Sequence, residues 1–390
     1  MNYLDIVANQ VNIAEGYAAI ESILIDVYFH EGISNKELSR KALLPIPIIT
    51  AIKKEFIKVD LFRQDQGIRL TPKGRQYVED ELGYQGLDVR VYNGILNNPA
   101  GIIEELIEPS LEPVYEERPQ VDVTIDQSKC TMETSFKRAV LCLQNHSLIG
   151  KKILCVGDDD LVSISLGFLL KKLFPNRPLK NAITVIDIDN RFLDTISETS
   201  RRENLPITCI RADLKNSLPQ QLVGQFDCFF TDPPYTLPGA VLFLSRGITA
   251  LKKQIGLPVF FSFAHKPPVF MLELQKALTQ MGLALHEIIP KFNQYEGAEM
   301  IANIGQMMIL RTTHLTAPAT GEDFTEPIYT GEIKKTVRSY ECKHCGKVFR
   351  IGSMENIKTI EELKEQGCLS CGQNTFNLVN RESADEKSGG

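Results

Sequence analysis

The order of apolar segments between residues 120 and 312 predicts an α/β fold with a doubly wound, mostly parallel sheet. Five short apolar runs, KKILCVG (151–157), AITVIDID (182–189), PITCIRAD (206–213), FDCFFTD (226–232) and LPVFFSF (257–263), alternate with helical segments, the mark of repeated strand–helix units. The first run is apolar throughout, as a central strand covered on both faces requires. Two further segments, LALHEIIPKFN and NIGQMMILRTT, read as a closing pair with a loop around Tyr295 and Glu296. In such sheets ligands gather beyond the carboxyl ends of the strands.

The rest of the chain divides around this unit. Residues 1–85 read as three helices, a hairpin turning at Gly67 and a final helix; Ser34 with Glu37 forms a capping box for the second helix. That order, with the LTPKG segment after the hairpin, resembles a winged helix-turn-helix. Lys53, Lys54, Lys58 and Arg63 are present, but the region is not densely basic, so a scaffold or homodimerisation role is favoured over DNA reading. Residues 86–119 read as an irregular connector, broken by Asn97, Asn98 and Pro99. Residues 313–338 form a linker with Pro318 and Pro327, 339–380 a small cysteine module, and 381–390 a disordered tail.

Composition bounds the function. The chain of 390 residues carries a formal net charge of −6, which disfavours general nucleic-acid binding and suits a cationic substrate better. No segment has the length of a membrane-spanning helix and the N-terminus lacks a signal pattern, so a reduced, cytoplasmic protein is expected. Five of the nine cysteines are scattered. The other four, Cys342, Cys345, Cys368 and Cys371, form two CxxCG knuckles, and this pairing predicts a closed, structural zinc site. His344 is a competing ligand.

Four strand ends carry the chemistry. After the first strand come Gly157, Asp158, Asp159 and Asp160, where a nucleotide-binding turn would carry several glycines. Three aspartates repel a pyrophosphate and attract a sulfonium, an ammonium or a polyamine. Asp187 ends the second strand, where a carboxylate accepts from ribose hydroxyls; Asp189 beside it reads as a helix cap. Asp213 ends the third, in position for an adenine amino group. Asp232, Pro233, Pro234 and Tyr235 end the fourth. There the prolines stiffen the loop, Asp232 offers an acceptor and Tyr235 a ring face to a cation, an arrangement that orients a nitrogen lone pair.

The five units and their closing antiparallel pair resemble the S-adenosylmethionine-dependent methyltransferases over roughly 120–312, giving a methyltransferase-like Rossmann domain. GDDD after strand one with DPPY after strand four, and a winged-helix-like N-terminus, narrow the resemblance to the branched-chain polyamine synthases, the N4-bis(aminopropyl)spermidine synthases. The resemblance implies transfer of aminopropyl groups from decarboxylated S-adenosylmethionine to the secondary amine of spermidine or a similar polyamine, with release of methylthioadenosine. It implies Asp160 as the proton acceptor, Asp158 and Asp159 as anchors for ammonium groups, and Asp232, Pro233 and Tyr235 as the groups that orient the nucleophile. Gly157, Asp187 and Asp213 would hold the donor. The competing reading is an amino-methyltransferase acting on DNA or RNA, which uses the same DPPY logic; the acidic first turn counts against it.

Overall fold

A computed structural model of the chain describes residues 2–11, 13–98, 101, 108–177, 179, 182–296, 302–321, 323–333, 336–352, 355–357 and 359–383. The N-terminal unit contains α1 (Tyr3–Val11), α2 (Tyr17–Phe29), α3 (Asn35–Ala42), α4 (Ile46–Lys58), the hairpin β1 (Phe62–Gln64) and β2 (Ile68–Leu70), and α5 (Pro72–Asp80). The expected capping box is present: the Ser34 hydroxyl accepts from the Glu37 amide at 3.2 Å, and the Glu37 carboxylate accepts from the Ser34 amide at 3.0 Å. Helix α1 precedes the three expected helices; it buries only Leu4 and Val7, too few residues to establish a period.

Pro99 lies outside the described residues, and the described part of the connector is mostly helical, not irregular. It forms α6 (Val89–Asn97) and α7 (Glu108–Glu116). Asp88 caps α6 by accepting from the amides of Arg90 and Val91, and Tyr92 stacks on Phe29 with ring centroids 4.3 Å apart. Asn98 is the C-cap of α6. The N-terminal helices and the sheet share one continuous apolar core, reinforced by an ion pair between Lys151 and Glu21.

The central sheet has eight strands: β3 (Lys129–Cys130), β4 (Ile153–Val156), β5 (Ile183–Asp187), β6 (Ile207–Arg211), β7 (Cys228–Thr231), β8 (Pro258–Ala264), β9 (Leu283–Glu296) and β10 (Ile304–Thr312). Their spatial order is β3-β9-β10-β8-β7-β4-β5-β6. Strands β4 to β8 run parallel, and β10, β9 and β3 close the sheet antiparallel. The predicted doubly wound fold is therefore present. The order reverses between β4 and β7, which opens a crevice at their carboxyl ends. Helices α8 (Met132–Gln144), α9 (Val162–Leu173), α10 (Asn190–Glu203), α11 (Leu237–Ala250) and α12 (Pro268–Gln280) connect and cover the strands. Tyr295 and Glu296 are not in a loop: they end β9 and pair with Cys130 and Lys129. A two-residue partner strand has no period of its own and escapes sequence reading.

The stretch read as a linker folds back over the crevice. The Phe324 amide donates to the Lys215 carbonyl at 2.7 Å, the Thr236 hydroxyl to the Ile328 carbonyl at 2.5 Å, and the Thr330 amide to Asp126 at 2.6 Å. After α13 (Thr330–Ile333), strands β11 (Thr336–Cys342), β12 (Val348–Ile351) and β13 (Phe376–Ser383) form a second sheet in the order β12-β11-β13, with α14 (Ile360–Gln366) between the last two. The start of the expected disordered tail is part of β13: Arg381, Glu382 and Ser383 pair with Arg338, Val337 and Thr336. Backbone pairing needs no apolar side chains, so composition misread it; residues 384–390 lie outside the described residues. No helix among the described residues is long and apolar enough to cross a membrane.

Helix α11 approaches β7 so closely that a Cβ at Gly247 would lie 2.3 Å from the Phe229 ring. Gly247→Ala is therefore expected to destabilise the fold by about 1–3 kcal/mol, the usual cost of overpacking. The denaturation midpoint measures it, and an unchanged midpoint would show that α11 can slide.

Candidate active site

A cavity lies at the carboxyl ends of β4 and β7, and its walls include Gly157, Asp159, Asp160, Asp187, Asp213, Asp232, Pro233, Pro234 and Tyr235. Nine of the eleven positions singled out at the four strand ends line it; Asp158 and Asp189 do not. Gly157 turns the chain out of β4 with φ +73°, a left-handed geometry that favours glycine; a Cβ there would also press on the Phe243 ring at 3.3 Å.

The three aspartates that follow have different surroundings. Asp158 faces inward. Its two oxygens accept from the amides of Val162 (2.7 Å) and Ser163 (3.1 Å), so it caps α9 and is not among the cavity-lining residues. This removes the expected ammonium-anchor role, because the first turn of a buried helix needs those acceptors more. Asp160 is buried, accepting from the Cys130 amide at 2.9 Å and from Arg138 Nη1 at 2.7 Å. With both oxygens engaged and a guanidinium beside it, Asp160 is poorly suited to the expected role of proton acceptor. Asp159 differs: Oδ2 accepts from the Ser128 amide at 3.1 Å, and no cation pairs with it among the described residues.

Arg138, on α8, is 2% exposed and binds four groups. Nε donates to Asn293 Oδ1 (3.0 Å), Nη1 to Asp160, and Nη2 to both Asp232 Oδ2 (2.8 Å) and the Tyr295 hydroxyl (3.2 Å). Tyr295 donates to the same Asp232 oxygen at 2.6 Å and accepts from the Tyr235 hydroxyl at 2.9 Å. The other oxygen of Asp232, Oδ1, is shielded and has no partner among the described residues. The DPPY loop is held by Thr236, which caps α11, and by the Pro234 carbonyl, which accepts from the Thr236 amide at 2.7 Å.

Across the cavity, Asp187 accepts from the amides of Asp158 (2.9 Å) and Asp189 (2.8 Å). Asp189 caps α10 as expected. Asp213 is exposed and accepts from the Lys215 amide. The wall is completed by Asp126, Ile328 and Tyr329. Sequence reading missed Arg138, Tyr295, Asp126 and Tyr329. Arg138 sits within an ordinary amphipathic helix, and only its total burial marks it out.

Six aspartates, Asp126, Asp159, Asp160, Asp187, Asp213 and Asp232, line the cavity, and no lysine, arginine or histidine lines it among the described residues. Burial raises Asp232 to about 7, against the pull of Arg138 and with a push from Asp160. Burial likewise raises Asp159 well above the usual carboxylate range, helped by the charges of Asp160, Asp187 and Asp232. Burial keeps Tyr235 and Tyr295 protonated, so both hydroxyls remain donors. The nearest cations stand behind the wall: Arg138 on Asp160 and Asp232, and Lys266 over the Tyr235 ring at 5.8 Å.

Comparison with known proteins fits this geometry. Residues 107–364 match the family model described as the branched-chain polyamine synthase A C-terminal domain. The chain belongs to the branched-chain polyamine synthase family. An uncharacterized protein of Methanocaldococcus jannaschii is 40% identical over 97% of this chain and 93% of its own length. The N(4)-bis(aminopropyl)spermidine synthase of the same organism is 30% identical over 64% of this chain and 70% of its own. The crystal structure of the branched-chain polyamine synthase from Thermus thermophilus, in complex with N4-aminopropylspermidine and 5'-methylthioadenosine, shares the fold with a TM-score of 0.50. That match has 20% identity and covers 84% of this chain and 96% of the other. Membership of the branched-chain polyamine synthase family makes the chain a transferase.

The raised carboxyls give a pH signature. Asp232 takes up its proton near pH 7 in the fold but near 3.8 in an ordinary setting, so protonation favours the folded state. The ligand-free protein therefore gains stability from this group as pH falls from about 7 towards 4 and loses that gain as pH rises through about 7. Melting temperatures of the wild type and Asp232→Asn across this range check it: the variant's curve should be flatter, and parallel curves would exclude a raised Asp232.

Proposed function

We propose that the protein transfers aminopropyl groups from decarboxylated S-adenosylmethionine to the secondary amine of spermidine or a similar polyamine. The observation that carries this reading is the cavity lined by six aspartates and, among the described residues, by no cation. The decarboxylated donor brings a sulfonium and an ammonium, and the acceptor brings further ammoniums, so every charge is opposed by an aspartate. Ordinary S-adenosylmethionine would add a carboxylate with no lining cation to receive it, which counts equally against methyl transfer to nucleic acid.

In this reading Asp187 receives the ribose hydroxyls, Asp213 the adenine amino group, and Gly157 lets the backbone approach the donor. Asp232 and Tyr235 orient the acceptor nitrogen. That nitrogen attacks the aminopropyl carbon next to sulfur. The new N–C bond forms as the C–S bond breaks, and its electron pair stays on sulfur as neutral methylthioadenosine. The amine's proton passes to Asp159, which the substrate's own cationic charges ionise on binding and which has no paired cation among the described residues. A second transfer to the same, now tertiary, nitrogen gives a quaternary centre. Positioning supplies most of the catalysis, because a sulfonium is already a good leaving group.

The four cysteine sulfurs lie within 4.8 Å of one another, with Cys342–Cys371 at 3.6 Å and Cys345–Cys368 at 3.5 Å. Tetrahedral zinc thiolate bonds of about 2.3 Å place sulfurs about 3.8 Å apart. The residues fit zinc, and a closed four-sulfur set would be structural.

Incubation with decarboxylated S-adenosylmethionine and spermidine should yield methylthioadenosine and a branched polyamine by mass spectrometry; methylated nucleic acid from S-adenosylmethionine would sink the proposal. Asp159→Asn should lower kcat by about 10²- to 10⁴-fold, whereas Asp187→Asn should chiefly raise the donor KM. Elemental analysis should find one zinc per chain, and stoichiometric free thiols without metal would refute that part.

A further inference from the structure

The cavity, the strand-end carboxylates and the cysteine module are accounted for above. The buried guanidinium behind the cavity is not. It does not line the main cavity but a small one behind it, shared with Asp159, Asp160 and Asp232, and it bridges the GDDD turn, the DPPY loop and the end of β9. We propose that Arg138 is a positioning residue for the transfer: by forking between Asp160 and Asp232 it fixes which Asp232 oxygen is left for the amine. The inference rests on the aminopropyl-transfer reading.

The geometry carries it. Asp232 Oδ2 accepts two hydrogen bonds, from Arg138 and Tyr295, while Oδ1 accepts none among the described residues. Two donors from different elements on Oδ2 hold the Asp232 side chain in one rotamer, so Oδ1 keeps a fixed place. Asn293 fixes the guanidinium plane in turn, and itself donates to the Gln306 carbonyl at 2.9 Å. A mere counter-ion would need neither the planar fork nor the fourth contact, and a lysine would serve as well.

Charge is the second effect. Asp232 faces Arg138 from α8, Asp160 and Asp159 from the first turn, Tyr295 from β9, Tyr235 from its own loop and Cys130 from β3. Arg138 is the one cation in that set, so it holds the cluster's proton affinity down against burial. The cluster titrates as a unit, and its apparent pKa belongs to the group.

Arg138→Lys and Arg138→Met separate the two effects. In Arg138→Lys the charge remains and the fork is lost. Its kcat should fall about tenfold or more with the acidic limb of the rate profile near its wild-type place, as expected for misplacement without a pKa change. In Arg138→Met the limb should also move to higher pH by about one unit, the scale of one lost neighbouring charge. Methylthioadenosine affinity by calorimetry should stay within about twofold of wild type in both, because the donor contacts are elsewhere. Full activity in Arg138→Lys, or a parallel loss of methylthioadenosine affinity, overturns the proposal. If Arg138→Met fails to fold, introducing Arg138→Lys into Asp232→Asn replaces it: the lysine should then cost little further, and an undiminished additional loss counts against Arg138 acting through Asp232. If the wild type makes no branched polyamine, the functional reading fails by itself. The carboxyl infrared band of ligand-free Arg138→Lys, compared with wild type, would still report whether the fork orders Asp232.

Discussion

Two carboxylates from different strand ends, Asp160 and Asp232, are brought side by side in a buried crevice, and like charges at that distance repel strongly when water is excluded. The arrangement is tolerable because Arg138 lies between them at 2.7 and 2.8 Å. A buried arginine with one partner removed would be costly, so these three residues depend on one another. Around them the turn after β4, the loop after β7, helix α8 and the end of β9 take fixed places. The short strand β3 belongs to the same assembly, since the Cys130 amide fills the remaining oxygen of Asp160.

The same logic explains the division of labour among three adjacent aspartates. Sequence alone treats them as equivalent charges. Folding gives one to the helix, one to the guanidinium, and leaves Asp159 facing the cavity with a single backbone contact. Their chemistry thus follows from which acceptors the backbone and Arg138 consume. What is left over is available to a ligand.

The sheet was legible because each central strand is a continuous apolar run closed by a polar residue, and the capping box at Ser34 and Glu37 was legible because its two bonds are local. The strand-end motifs were legible for the same reason: a few consecutive residues at the end of a strand share one place. What escaped was whatever depends on distant partners. Arg138 meets Asp232 across 94 positions and Asn293 across 155. Strand β3 exists only because β9 reaches it. The connector was misread because its asparagines end a helix, and the tail because Arg381 to Ser383 pair through their backbone alone.

The segment from 313 to 333 has a bearing on how the molecule is made. It bonds Lys215, Thr236 and Asp126, the last across 204 positions. During synthesis the five parallel strands and both carboxylate turns leave the ribosome well before Ile328 and Tyr329. The nascent chain can therefore assemble its sheet and its Arg138 fork while the crevice still lacks part of its wall. Contacts of such long sequence separation form late, because loop closure must precede any reward. Binding competence is thus deferred until Ile328 and Tyr329 have been translated, and a chain truncated shortly after β10 would be a folded sheet with an incomplete pocket.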